Sequence, residues 1–238
     1  MSQDINTPFH AIIKKRELLS LAGSTKKTFH IELDLSNSNI NYEPGDTIGI
    51  YPQFPDFFVE DLLQVLQACP KTVIDYKKKQ ISIPLREILK SYIDLRKVTK
   101  KFLRALLERL PQGEEKDKLT ELLLPENKAA LSVFLESSDI CDCLKKFHGA
   151  SWDLDEFCAV LQPLLPRYYS IASSQKHVES ELHLTVALVE YEGDFGNKKG
   201  VCSAFLCEET FLNEATIPIF HKPNPNFLIG GYFHTCIL

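Results

Sequence analysis

The sequence predicts a mainly β fold, an antiparallel β-barrel interrupted by an inserted α-helical subdomain. Two observations carry this. Apolar residues recur at every second position toward both ends of the chain, and on a helical period through its middle. The outer segments are also short and joined by tight turns, as in antiparallel barrels.

The first barrel segment, 8–55, opens the case. Phe29, Ile31, Leu33 and Leu35 alternate with His30, Glu32 and Asp34, giving a strand with one apolar and one wet face. Asn37-Ser38-Asn39 turns the chain, and Pro44-Gly45-Asp46 leads into a strand through Ile48 and Ile50. Residues 56–163 read as the helical insertion. Val59, Leu62, Leu63 and Leu66 share a helix face, as do Phe102, Ala105, Leu106 and Leu110, and then Leu119, Leu122 and Leu123. A strand pair near Thr72–Pro84 interrupts the helices, Asp153 marks a helix start, and Pro163 and Pro166 mark its end. The second barrel segment, 164–227, returns to period two, with Leu182, Leu184, Val186 and Leu188 on one face. Gly200-Val201-Cys202-Ser203 precedes a helix over Ala204–Glu209, and Ile217–Phe220 reads as a last strand. A short tail, 228–238, follows.

Composition narrows the function. The chain has 238 residues, enough to bury a real core, and 25% of them are charged. A net charge of −5 argues against nucleic acid as the partner. The basic runs Lys77-Lys78-Lys79 and Lys97–Arg104 read as solvated surface. No apolar run approaches the roughly 18 residues of a membrane span, and Met1–Asn6 lacks the regions of a signal peptide. The seven cysteines are scattered, and Cys141-x-Cys143 is too tight for zinc. These features predict a reduced, cytoplasmic protein with no membrane association. His148, His177 and His183 show no metal-ligand spacing, and neither a nucleophile elbow nor a phosphate P-loop is present.

The sharpest local signal is Arg167-Tyr168-Tyr169-Ser170-Ile171-Ala172-Ser173-Ser174. On a strand, Arg167 and Tyr169 face one side, a forked donor for phosphate beside an aromatic stacking face. The same residues also suit an edge strand with a snorkelling Arg and a packed Tyr. About thirty residues on, Gly200-Val201-Cys202-Ser203 sits at a helix start, where backbone N–H groups attract a diphosphate and Ser203 adds a hydroxyl. Packing by a small residue is the simplest role for Cys202.

The order Pro44-Gly45-Asp46, helical insertion, Arg-x-Tyr-Ser-Ile-Ala-Ser-Ser, alternating strand, Gly-x-x-Ser resembles the FAD domain of the diflavin reductases over residues 8–227. Within that group it looks most like the flavoprotein subunit of NADPH-dependent sulfite reductase, and next like the microsomal cytochrome reductases. The resemblance implies FAD as cofactor. Arg167 would bind its pyrophosphate, Tyr169 would stack on the isoalloxazine, and Ser170 would lie near flavin N5 as the catalytic residue. Tyr168 belongs to the same motif. Thr185, Val186 and Ala187 match the strand lining the flavin, Tyr191 an aromatic serving its far side, and Gly200, Val201, Cys202 and Ser203 the pyrophosphate turn. The insertion resembles the connecting domain that orients an FMN partner.

Two departures accompany the match. Arg96 stands where the family often carries a cofactor-touching Thr, after a helix resembling Ile88–Leu95. Beyond Asn224-Pro225-Asn226-Phe227 the family continues into a nicotinamide domain, whereas this sequence carries only Leu228–Leu238. The expected function is therefore an FAD-binding electron-transfer module of an NADPH-dependent flavoprotein reductase, truncated or frameshifted at its end. NADP would bind only through a separate domain or chain, and the electron acceptor would be an FMN- or haem-containing protein. The competing readings are an inactive FAD-binding remnant and a flavin-free interaction scaffold.

Overall fold

A computed structural model of the chain describes residues 7–193 and 196–224, so the expected tail at 228–238 lies outside the described residues. In chain order, strands β1 (Phe9–Leu18), β2 (Thr28–Asp34) and β3 (Thr47–Ile50) precede helix α1 (Asp56–Val65) and the hairpin β4 (Val73–Tyr76) and β5 (Ile81–Pro84). Helices α2 (Leu85–Ser91), α3 (Lys100–Arg109), α4 (Glu114–Leu122), α5 (Lys128–Ser137), α6 (Ile140–Lys146) and α7 (Leu154–Val160) follow. The chain then forms β6 (Arg167–Ser170), α8 (Gln175–Val178), β7 (Glu181–Ala187), β8 (Glu190–Gly193) and β9 (Gly196–Lys199). Last come α9 (Val201–Ala204), which runs into a π-helical turn at Phe205–Glu209, and β10 (Thr216–Lys222). No helix among the described residues is long and apolar enough to cross a membrane. The chain divides into two compact units, one built from residues 7–52, 166–189 and 202–224, the other from Gln53–Leu165 and 190–201.

The first unit is a six-stranded sheet in the order β6-β3-β10-β1-β2-β7, antiparallel at every pairing. Its two edges meet at one corner, where Ile171 bridges Leu184 and the Ala172 N–H donates to the His183 carbonyl at 2.9 Å. Register follows the alternation. Leu33 lies opposite Leu182 and Ile31 opposite Leu184, and all four are fully buried. Each such side chain contributes about 1.5–3 kcal/mol by leaving water, and a slip of one residue would turn the whole set outward. Before β3, Gly45 adopts φ +92°, and Asp46 accepts from the Glu43 N–H at 3.1 Å and the Asn224 N–H at 2.8 Å. Gly49 is needed for space: a Cβ there would come within 2.3–2.8 Å of the Phe220 ring.

The second unit buries Phe54, Val59, Leu62, Leu85, Phe102, Leu106, Leu119 and Phe157 in one core. Thr99 caps α3 through Phe102 N–H, and Asp153 caps α7 through Glu156 N–H. The helix expected over Ile88–Leu95 is α2, which ends at Ser91. Beyond it, Asp94 N–H donates to Gln162 O, Leu164 N–H donates to Tyr92 O, and Ile93 bridges Pro163, drawing that stretch into extended pairing. A polar cluster lies inside this unit. The Lys198 ammonium contacts Asp142 and sits 3.1 Å from Asp139 Oδ2, while Arg96 Nη1 reaches Asp139 Oδ2 at 2.7 Å. Arg96 also lies over the Phe58 ring, 4.4 Å from its centroid. Arg96, expected from the resemblance to stand at a cofactor-touching position, is thus a side chain committed to its own unit.

Candidate functional site

The motif after Pro166 forms β6, an edge strand paired on one side with β3, Ile50 opposite Arg167 and Ile48 opposite Tyr169. Cross-strand partners share a face, so Arg167 and Tyr169 point the way Ile48 and Ile50 do, and Tyr168 and Ser170 point the other way. Tyr169 is half-buried and packs against the barrel core. Its hydroxyl is hydrogen-bonded to the Cys202 thiol; burial first, and then this contact, push the Tyr169 pKa well above its usual value. Burial likewise pushes Cys202 up to about 12, leaving an uncharged thiol that anchors a ring.

Arg167 is exposed at the end of this face and makes no hydrogen bond or ion pair among the described residues. Ser170 is exposed, and its hydroxyl makes no hydrogen bond among them. Tyr168, 48% exposed, meets Phe220 edge-on at 5.9 Å, with Lys222 Nζ 4.7 Å from its ring centroid. The rest of the motif is structural. Ser173 Oγ lies 2.7 Å from the Tyr42 hydroxyl and accepts from the His183 N–H at 3.0 Å, fixing the segment that follows β6.

On β7, Thr185 and Ala187 are exposed on the outer face while the Val186 side chain is buried in the core, so Val186 can offer a ligand only its backbone. Ser203 is buried in α9, its Oγ accepting from Val189 N–H at 3.1 Å. The first unit thus brings together Arg167, Tyr169 and Cys202 on one face, with Ser170 and Tyr168 on the opposite face of β6. The other expected residues belong to the second unit. Tyr191 is exposed on the β8–β9 hairpin, and Gly200 and Val201 immediately precede Cys202 in the chain. Three features escaped the sequence: the Tyr168, Phe220 and Lys222 cluster, the thiol anchoring Tyr169, and the π-helical turn after α9. That turn is closed by Thr210, whose Oγ1 donates to Phe205 O at 2.5 Å.

The face of β6 that carries the Tyr169 ring and the Arg167 guanidinium, which has no partner among the described residues, suits a planar, phosphorylated cofactor, since the fork matches phosphate and the ring offers a rigid π-face. That class is a flavin-nucleotide binder. The chain belongs to the FAD-binding domain family, whose model matches residues 1–205, and its cofactor is FAD. It is similar to the sulfite reductase [NADPH] flavoprotein alpha-component of Bacillus subtilis, at 36% identity over 92% of this chain and 36% of that protein. The protein of the same name from Neisseria meningitidis serogroup B is 32% identical over 92% of this chain and 35% of its own length. That from Zymomonas mobilis is 30% identical over 94% of this chain and 35% of its own. The chain therefore spans about a third of the length of the curated relatives it matches.

Proposed function

We propose that this chain is the FAD-holding, electron-transfer part of an NADPH-dependent flavoprotein reductase of the sulfite reductase type. The observation that carries the reading is the exposed Arg167, unpaired among the described residues, beside a Tyr169 anchored by Cys202, in a chain matched to FAD-binding domains over residues 1–205. FAD, when bound, supplies a redox centre able to take two electrons and release them singly. In this reading Arg167 holds the pyrophosphate, with Gly200, Val201, Cys202 and Ser203 at the same group. Tyr169 stacks on the ring, and Ser170 stands by its reactive nitrogen. Thr185, the Val186 backbone and Ala187 line the ring, and Tyr191 serves its far side. A further domain or a separate chain supplies nicotinamide binding, and an FMN- or haem-containing protein accepts the electrons.

The test is FAD titration followed by flavin fluorescence. One FAD per chain is expected, and Arg167→Ala should weaken it by about 1.5–3 kcal/mol, the worth of a charge-assisted hydrogen bond. Apoprotein stability should change little, because Arg167 is exposed. Equal FAD affinity in parent and variant would move the pyrophosphate elsewhere.

A further inference from the structure

The outer face of the barrel carries a cluster that the proposed flavin contacts leave unused. His30 and Glu32 are two residues apart on β2 and so share a face. The β2–β7 ladder sets His183 opposite Glu32. Their neighbours Ile31, Leu33, Leu182 and Leu184 are fully buried, which pins the polar residues outward. The potential ligand atoms of His30, Glu32 and His183 all lie within 4.8 Å of one another. His30 Nε2 is 3.2 Å from Glu32 Oε1, and the two imidazoles meet edge-on at 4.9 Å. We propose that His30, Glu32 and His183 bind one divalent transition-metal ion of the zinc class.

Two imidazoles and a carboxylate are a ligand set for such ions, with an open fourth position for water, whereas calcium and magnesium want oxygen ligands throughout. Bonds of about 2.0–2.1 Å in a tetrahedron place ligand atoms about 3.4 Å apart. His30 and Glu32 already meet that spacing, and the others reach it by a side-chain adjustment with the strands held in register. The three side chains are only 18–22% exposed, so a bound ion would be partly shielded from water. Glu181 Oε2 lies 3.2 Å from His183 Nε2, and a carboxylate so placed fixes the tautomer and orientation of a ligand ring. The neighbouring cations have alternative partners. Lys15 Nζ lies 3.6 Å from Glu32 but 2.9 Å from Glu17, and Lys14 pairs with Glu181. An ion entering the site displaces Lys15 from Glu32 and leaves it with Glu17.

The site rests on no assumption about the flavin, and zinc chloride titrated calorimetrically into the untagged chain tests it. Cys69 and Cys236 are first replaced by Ser to remove the exposed thiol and the one outside the described residues. One zinc per chain is expected. His30→Gln and His183→Gln should each weaken binding by at least about tenfold, the order of loss seen when a metal site's supporting shell is cut. Zinc should raise the melting temperature of the parent and of neither variant, a comparison that holds if a variant is less stable from the start. Cobalt in place of zinc should give a visible spectrum without the near-ultraviolet charge-transfer band of a thiolate ligand. Absence of zinc uptake, uptake by either variant equal to that of the parent, or a thiolate band would overturn the assignment.

Discussion

Replacing Lys198 by Met tests whether the β8–β9 hairpin is held by a buried ionic cluster. Lys198 is only 6% exposed, and its side chain crosses Gly193, where a Cβ would lie 2.6 Å from Lys198 Cε and 2.9 Å from Ser137 O. Met keeps most of the aliphatic stem and removes the ammonium. Removing one partner of a buried pair costs about 3–5 kcal/mol, because the remaining charge stays desolvated. Here the remaining carboxylates keep some support. Asp139 retains Arg96 at 2.7 Å and Asp142 N–H at 2.9 Å, and Asp142 retains Asp139 N–H at 2.9 Å. The loss should therefore fall at the low end, about 3 kcal/mol. Guanidinium unfolding followed through Trp152, the chain's one tryptophan, reads it directly, since that ring stacks on Phe102 within the same unit. Adding Asp142→Asn should recover part of the loss by removing the stranded charge. A loss below about 1 kcal/mol with an unchanged denaturant slope would show the cluster to be a screened surface pair, contrary to its burial.

Gly49→Ala forces a methyl group into the Phe220 ring and should cost about 1–3 kcal/mol in urea unfolding, less in a Phe220→Leu background. If the cost is the same in both backgrounds, the ring is not the obstacle. Asp46 provides a pH test. Burial raises its pKa, but hydrogen bonds from Asn224 N–H, Glu43 N–H and His221 outweigh this and hold it below the usual value. A carboxylate depressed in the folded state stabilises above its unfolded pKa of about 3.9, and that stability is lost as pH falls through the lower folded value. Asp46→Asn should flatten the acid side of the stability profile below about pH 4, and an unaltered acid limb would refute the claim. Loaded with FAD, the 238-residue chain should be bleached by dithionite but not by NADPH alone. Hydride donor and acceptor must be held about 3–3.5 Å apart, and the described residues contain no second nucleotide-binding strand, Gly-rich turn and helix. Rapid anaerobic bleaching by NADPH with no other protein present would defeat this.

Where packing obeys periodicity, the sequence was readable. Ile31, Leu33, Leu182 and Leu184 alternate with polar residues and line the barrel, and Asp153 starts α7 by the cap its side chain can make. The β8–β9 hairpin was not readable. Its residues, Glu190–Gly193 and Gly196–Lys199, have no apolar alternation, and its buried anchor is a lysine, a residue almost never inside unless paired. The partners that make Lys198 tolerable, Asp139 and Asp142, lie over fifty residues away in the chain. For the same reason local spacing passed over His183, whose companions His30 and Glu32 meet it only through the β2–β7 register. The Arg167–Ser174 motif stood out because its residues are consecutive, but which of its side chains share a face with the residues expected beside them did not. Alternation turns Val186 inward beside Leu184, so three consecutive lining residues cannot all present side chains to one ligand.

The open edge of the barrel bears on the ligand site proposed at β6. That strand has four residues, pairs fully with β3, and joins β7 just past its end, through the Ile171–Leu184 bridge and the Ala172 N–H to His183 carbonyl bond. Continuous pairing between β6 and β7 would abolish the edge, but it would bury the stretch from which Arg167 and Ser170 reach solvent. An unpaired edge invites intermolecular pairing, and natural sheets blunt such edges by shortness and charge. Here β6 is short and carries Arg167, and its half-exposed Tyr168 is held by Phe220 and Lys222 and so is not a loose apolar patch. The closing Ile171–Leu184 contact in turn depends on the residues that follow it. Ser173, fixed by Tyr42 and by His183 N–H, keeps the chain after β6 against β7. Incomplete closure is thus a property of this barrel that the proposed FAD site would use: β6 keeps one edge unpaired, and its Arg167 and Ser170 side chains reach solvent.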